Sequence, residues 1–445
     1  MDKYSSYKPS GIEWLETIPE NWKVSKLKYL GELFGGLTGK SGVDFNNDEN
    51  PKNKPYIPYT NIFNNTYISQ DHFHYVSIDE GESQNRVKKY DMFFLMSSET
   101  HKDLGKSCIL IDDVDELYLN SFCKGYRIND KNIQPLFLNY QILGHLHREM
   151  ISVEGKGFTR INLRQDKIND LVVFYPTLQE QEQIVNYLDE KTTIVDKLIS
   201  TKQRKVELLK EHRTTLINQV ITKGLNPNVK MKDSGLEWFS EIPIHWKLLK
   251  LWLIIKKSEL GGNYSGSTEN EGIPLMKMGN IDRGKIKLEK IEYVEDTYTD
   301  SHILKYGDFL FNTRNSIELV GKVCIWRNEL EKSIYNSNIL RIYFKDFINV
   351  EFMNYQFNTK SIIGVLKLIS KGTTSVSAIY YKDLSDIELI VPPIQEQEQI
   401  VQYLDKQTKE IDDLVSMEQN KIELLKEFRQ SLISEVVTGK IKVVL

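Results

Sequence analysis

One stretch of the chain occurs twice, and that duplication limits what the chain can fold into. Residues 179–222 open QEQEQIVNYLD, and residues 395–438 open QEQEQIVQYLD, 216 positions later. Aligned without a gap, 26 of the 44 positions are identical. A period of half the chain indicates a duplicated architecture. Each copy reads as one long helix. Apolar residues fall at Ile184, Leu188, Val195, Leu198, Val206, Leu209, Leu216 and Val220, with counterparts 216 positions on, at spacings built of threes and fours. Neither copy contains Pro or Gly. Proline precedes each (Pro176; Pro392 and Pro393), and Gly224 and Gly439 follow closely. At about 1.5 Å per residue each helix spans roughly 66 Å. Its apolar stripe is narrow, which predicts burial against another helix.

The segments between the helices repeat more loosely. SGIEWLETIPENWKVSKL at 10–27 returns as SGLEWFSEIPIHWKLLKL at 234–251, an offset of 224. Further on the offset is 216: Ile57-Pro58 with Ile273-Pro274, Tyr90 with Tyr306, GKSC at 105–108 with GKVC at 321–324, and Asn120-Ser121 with Asn336-Ser337. The second copy has lost 8 residues, and the polar stretch 46–54 is the expected place. Within both segments, short runs rich in β-branched and aromatic residues read as strands, with helical patterns near 136–150 and 351–369. The expected organisation is a mixed α/β domain over 1–175, a helix over 176–224, a linker and second domain over 225–391, and a second helix over 392–445. Trp22 and Trp246 read as core anchors, since the apolar pattern continues on both sides.

Composition excludes several classes. The chain has 445 residues, 40% hydrophobic and 27% charged, without an apolar run long enough to cross a membrane or form a leader peptide. Its three cysteines form no CxxC pair and no cluster with His at metal spacing, so no structural zinc is expected and a cytoplasmic location is. Net charge is −4; the two helices together carry −5 and the remainder +1. Any phosphate-facing surface is therefore expected outside the helices. Catalytic motifs are missing. There is no NPPY or DPPY run, FGGLT lacks the last glycine of an adenosylmethionine loop, and GGLTGKS at 35–41 is one residue short of a nucleotide-binding loop.

Two divergent domains alternating with two near-identical long helices resemble the specificity subunits of type I restriction–modification enzymes. The resemblance covers essentially the whole chain. It is carried by SG(I/L)EW…IP…W, GK(S/V)C and P-x-(L/I)-QEQEQIV-x-YLD. It implies an α+β fold: two target recognition domains in pseudo-twofold repeat, separated by two antiparallel helices forming a coiled-coil-like spacer. It also implies a prokaryotic, non-catalytic protein without a cofactor of its own. Each domain would read half of a split, asymmetric double-stranded DNA target. The helices would dock two methyltransferase subunits, which carry S-adenosylmethionine, and through them nuclease/translocase subunits. A free-standing DNA-binding regulator built from the same fold, or an enzyme with an unseen site, remains as an alternative reading.

DNA contacts call for Arg, Lys, Asn, Ser and Thr on loops that reach bases or phosphates. Three matched places qualify. The Gly-rich loop 35–42 offers Thr38, Lys40 and Ser41, against Asn263 and Ser265 in the second copy. The segments after MFFLM and FLF offer Ser98, Thr100 and Lys102, against Thr313, Arg314 and Asn315. The loops before the long helices offer Lys156, Thr159 and Arg160, against Lys371, Thr373 and Thr374. They occupy equivalent points and differ in side chain, as readers of two different sequences should.

Overall fold

The computed structural model describes residues 3–12, 14–45, 50–157, 159–267, 271–295, 298–373 and 376–443. The chain divides into two compact units. One comprises residues 1–203 and 420–445, the other 204–419. Each unit thus contains half of both long helices, Leu178–Lys223 and Ile394–Val437.

The same strand order is built in both. In the first unit a four-stranded antiparallel sheet runs Gly31–Gly35, Cys123–Ile128, Met92–Leu95, Ser107–Ile109. Beside it lies a mixed sheet of Tyr118–Leu119, Asn53–Ile57 and His74–Ser77. In the second unit the four strands are Ile255–Leu260, Ile339–Phe344, Phe309–Asn312 and Val323–Ile325, beside Glu292–Val294, Ile273–Met276 and Ile334–Tyr335. The central strands MFFL and FLFN are buried on both faces, which is why they read as continuous apolar runs rather than alternating ones. Of the stretch 46–54, residues 46–49 lie outside the described residues.

The QEQEQIV motif fastens each helix to its unit. In the first, the Trp22 indole N–H donates to Glu180 Oε1 at 3.3 Å. Gln181, fully buried, donates to the carbonyls of Asn132 (2.8 Å) and Pro176 (3.0 Å) and accepts from Gln134 N (2.9 Å). Ile184, Val185 and Leu188 enter the core with Trp22, Phe137 and Phe174. One turn on, the Tyr140 hydroxyl donates to Asp189 at 2.5 Å. The second unit repeats every contact. Trp246 donates to Glu396 at 3.0 Å. Gln397 donates to Phe347 O (3.1 Å) and Pro392 O (2.8 Å) and accepts from Asn349 N (2.8 Å). Tyr355 donates to Asp405 at 2.7 Å. Trp22 and Trp246 are thus core anchors, 0% and 1% exposed.

Within each unit the two helix halves run antiparallel. In the first, Arg429 grips Asp196 through two nitrogens, at 2.9 and 3.2 Å. In the second, Lys205 meets the buried Glu418 carboxylate at 3.0 Å, and Arg213 meets Asp412 at 2.9 Å. Val195, Val206, Ile411 and Ile422 are buried, but Leu198 and Leu414, expected in the same stripe, are exposed. Three residues after Val195 and Ile411 the helix has turned 60° short of a full revolution, which carries these leucines off the narrow apolar face. A second correction concerns 136–150 and 351–369. Each is two helices, Pro135–Leu143 with His145–Val153 and Val350–Phe357 with Lys360–Ile369. Extended backbone at Gly144 and Thr359 makes the break, and the Thr359 hydroxyl caps the second helix by accepting from Ile362 N.

Two stability tests follow from these contacts. Replacing Gln181 or Gln397 with Leu strands one amide and two carbonyls away from water, at a cost of about 2–4 kcal/mol. The urea midpoint should fall accordingly, while Glu182→Ala, at an exposed position of the same turn, should change it by less than about 0.5 kcal/mol. Equal midpoints would remove the glutamines from the anchor. The second test concerns the turn before the central strand. It is closed by Lys88 N donating to Asp91 (2.7 Å) and, in the other unit, by Lys305 N donating to Asp308 (2.9 Å). The geometry therefore matches Tyr90 with Gly307, not with Tyr306, and both adopt positive φ, 69° and 88°. Gly307→Ala should cost about 1 kcal/mol, since a Cβ there has open space and only the backbone is strained. Tyr90→Gly should cost nothing, because relief of strain offsets the added chain entropy. A destabilised Tyr90→Gly would refute that equivalence.

Candidate nucleic-acid interface

The three matched loops of each unit converge on one short turn. In the first unit that turn is Asn120–Cys123, closed by Cys123 N donating to Asn120 O at 3.1 Å. The Gly-rich loop passes against it. Leu37 N donates to Leu119 O at 2.8 Å, and a side chain at Gly36 would strike the Asn120 carbonyl. On the other flank, Ile161–Asn162 pairs with Ser97–Ser98, and Arg160 lays its guanidinium over the Phe122 ring, 5.7 Å from its centre. In the second unit the turn is Asn336–Ile339, closed by Ile339 N to Asn336 O at 3.0 Å. Gly262 N donates to Tyr335 O at 3.2 Å, and a side chain at Gly261 would strike the Tyr335 and Asn336 carbonyls. Thr313 donates to Asn338 O through its amide and its hydroxyl, both at 2.9 Å. Arg314–Asn315 pairs with Ser377–Ala378, which pairs with Lys371–Gly372. The Asn-Ser repeat was visible in the sequence, but as a repeat it carried no sign that it formed the hub.

The candidate residues fall into two groups. Ser41, Lys102, Lys156, Thr159, Arg160, Asn263, Ser265 and Arg314 are exposed. Thr38, Thr100, Lys371 and Thr373 are exposed too, but these and the remaining described candidates have partners that brace the loops. Thr38 is held by Gln84, which accepts from its amide at 3.1 Å and donates to its carbonyl at 2.8 Å. Lys40 is only 8% exposed at its side chain and pairs with Glu82 at 2.5 Å. Lys40, with help from Gln84 and the Asp79 amide, holds the Glu82 carboxyl down at about 2. Ser98 is buried and accepts from the Thr100 amide at 3.3 Å, and the Thr100 hydroxyl donates to Asp103 at 2.6 Å. Asn315 accepts from Ser316 N, Thr373 accepts from Val376 N, and Lys371 pairs with Asp383 at 2.6 Å. Thr374 lies outside the described residues.

The brace of the second Gly-rich loop uses different chemistry. The Tyr264 hydroxyl and His302 Nδ1 share a hydrogen bond at 2.6 Å, and the hydroxyl accepts from Thr299 N at 3.1 Å. Behind it the buried Arg341 guanidinium joins Asp308 and Glu259, at 3.0 and 2.9 Å. The Glu259 carboxyl is pushed up by burial but held down, at about 2, by the stronger pull of Ser301, Arg341 and Lys257.

The GK-x-C segments are structural. Cys108 and Cys324 are fully buried strand residues whose thiols burial pushes up. Lys106 turns inward to the Phe63 carbonyl and Lys322 to Asp282. Among the described residues there is no His/Cys/Asp/Glu group able to hold a metal, and no helix is long and apolar enough to cross a membrane.

The type I restriction modification DNA specificity domain matches residues 19–208 and 257–424. The MjaVIII specificity subunit of Methanocaldococcus jannaschii, a type I restriction enzyme subunit, is 24% identical over 96% of this chain and 94% of its own length. The EcoKI specificity subunit of Escherichia coli is 22% identical over 95% and 90%. A chain from a structure of a type I restriction–modification system superposes with a TM-score of 0.70 at 16% identity, over 95% of this chain and 99% of that one. The HsdS subunit of Thermoanaerobacter tengcongensis gives 0.50 at 14% identity, over 95% and 98%. With its two target recognition domains and two long antiparallel helices, the chain belongs to the type I restriction modification DNA specificity family and is a non-catalytic specificity subunit.

Proposed function

We propose that the chain reads a bipartite, asymmetric double-stranded DNA target, one half-site per unit, inside the cytoplasm of a prokaryotic cell. The observation that carries this reading is the matched pair of turns. Two units share one backbone arrangement yet present different sets of exposed side chains at the matched loops: Ser41, Lys102, Lys156, Thr159 and Arg160 against Asn263, Ser265 and Arg314. A common scaffold with divergent polar loops suits two readers of unlike sequence. The long helices are the spacer. Their outward faces dock two methyltransferase subunits, which supply S-adenosylmethionine and the chemistry, and nuclease/translocase subunits join through those.

Two experiments test this. The first replaces residues 234–391 with the same segment of another family member. Long-read detection of methylated bases in cells that also express the methyltransferase should find one half of the target changed and the other intact. Loss or change of both halves together would mean that the units do not read separately. The second compares cations by the salt dependence of DNA binding. Arg314→Ala should lower the slope of log affinity against log salt by about one. Lys40→Ala should lower it by less, since Glu82 already neutralises that ammonium. The reverse order would return Lys40 to the phosphate-contacting set.

A further inference from the structure

The turn that joins the three loops carries one side chain that neither the core nor the loop braces employ. Phe122 is 57% exposed, although the next residue, Cys123, is fully buried at the head of a strand. The turn fixes its backbone, because Asn120 Oδ1 accepts from Phe122 N at 2.8 Å. Arg160 is a cationic neighbour, its guanidinium lying over the ring. The second unit makes the same turn, with Asn336 Oδ1 accepting from Asn338 N at 3.2 Å. There the tip is Asn338. The backbone is kept and the tip changes from an aromatic ring to an amide.

We propose that this tip is a base-contacting position, in deepening of the DNA-reading function on which it rests. Phe122 makes apolar contact with a base edge of the first unit's half-site, and Arg160, held on the ring, meets the adjacent phosphate or guanine edge. Asn338 occupies the same place in the second unit and hydrogen-bonds a base edge through its amide. The occupant is argued from the surroundings. An exposed ring paired with a cation, at the meeting point of three polar loops, matches an apolar base edge such as a thymine methyl, flanked by phosphate. An apolar protein partner would have to desolvate the guanidinium and the polar loops around it.

The test uses the full chain with its methyltransferase subunits and a randomised DNA library. The wild-type complex first defines the selected bipartite sequence. Phe122→Ala should then weaken binding to that sequence about tenfold and relax one or two neighbouring positions of the first half only. Its salt slope and thermal midpoint should stay at wild-type values, because no charge and no core contact is lost. Phe122→Asn should change the preferred base at the relaxed position. Arg160→Ala should lower the salt slope by about one. Selection of the same consensus by Phe122→Ala, with affinity within about twofold of wild type, would overturn the proposal. So would loss of methyltransferase assembly with specificity intact, which would make the ring a protein contact. Failure of the wild-type complex to select any split sequence would instead defeat the broader reading, so the two failures are distinguishable.

Discussion

A buried glutamine at the head of each long helix holds the structure to its plan. Gln181 and Gln397 fill both ends of their amides with backbone groups of the neighbouring domain, in an environment without water. A side-chain amide fits this duty because it offers a donor and an acceptor in one plane and carries no charge to desolvate. The tryptophan–glutamate pairs and the tyrosine–aspartate pairs then fix the helix at a second and a third point. Three attachments along about three turns leave the helix no freedom to swing or rotate against its domain. The identity between the two copies at the inward positions of QEQEQIV-x-YLD is therefore explained by packing. The inward residues of the motif are committed to the domain, while Gln179, Glu182, Gln395 and Glu398 face outward and owe nothing to that packing.

That rigidity is what lets the loops diverge. A hub turn closed by its own asparagine, and backed by a glycine that must lie against its carbonyls, has its shape set by backbone atoms. Side chains projecting from it can change without moving it. The braces illustrate this freedom. Glu82 and Gln84 hold one Gly-rich loop, and Tyr264 with His302 holds the other. Unlike chemistry produces a like result, which is expected where selection acts on the position of a backbone and not on the identity of the group that fixes it.

The repeat, the helices, the strand runs and the two core tryptophans were legible in the sequence because each is a periodic or compositional signal that local physics enforces. What was not legible depends on contacts remote in sequence. Lys40 reads as a phosphate ligand until Glu82, 42 residues away, is seen to occupy its ammonium. Ser98 reads as a polar loop residue until strand pairing with Ile161 turns it inward. Matching Tyr90 to Tyr306 follows identity, but the turn geometry overrules it, because positive φ is a property of position that sequence letters do not record. Phe122 carried no signal at all, since an isolated aromatic before a strand is ordinarily taken for core.

Charge is the remaining step. Outside the helices the chain is close to neutral, and several of its loop cations are spent internally: Lys40 on Glu82, Lys371 on Asp383, Lys106 on a carbonyl. Non-specific DNA affinity scales with the number of phosphates neutralised, and a loop cation already paired inside the chain contributes less to counterion release. A recognition subunit made this way binds wrong sequence weakly by itself. Under the proposed DNA-reading function, its discrimination then rests on base contacts more than on phosphate contacts made by this chain. The arrangement favours specificity, because a reader that already gripped any phosphate backbone tightly would have little further binding energy to gain from the right bases.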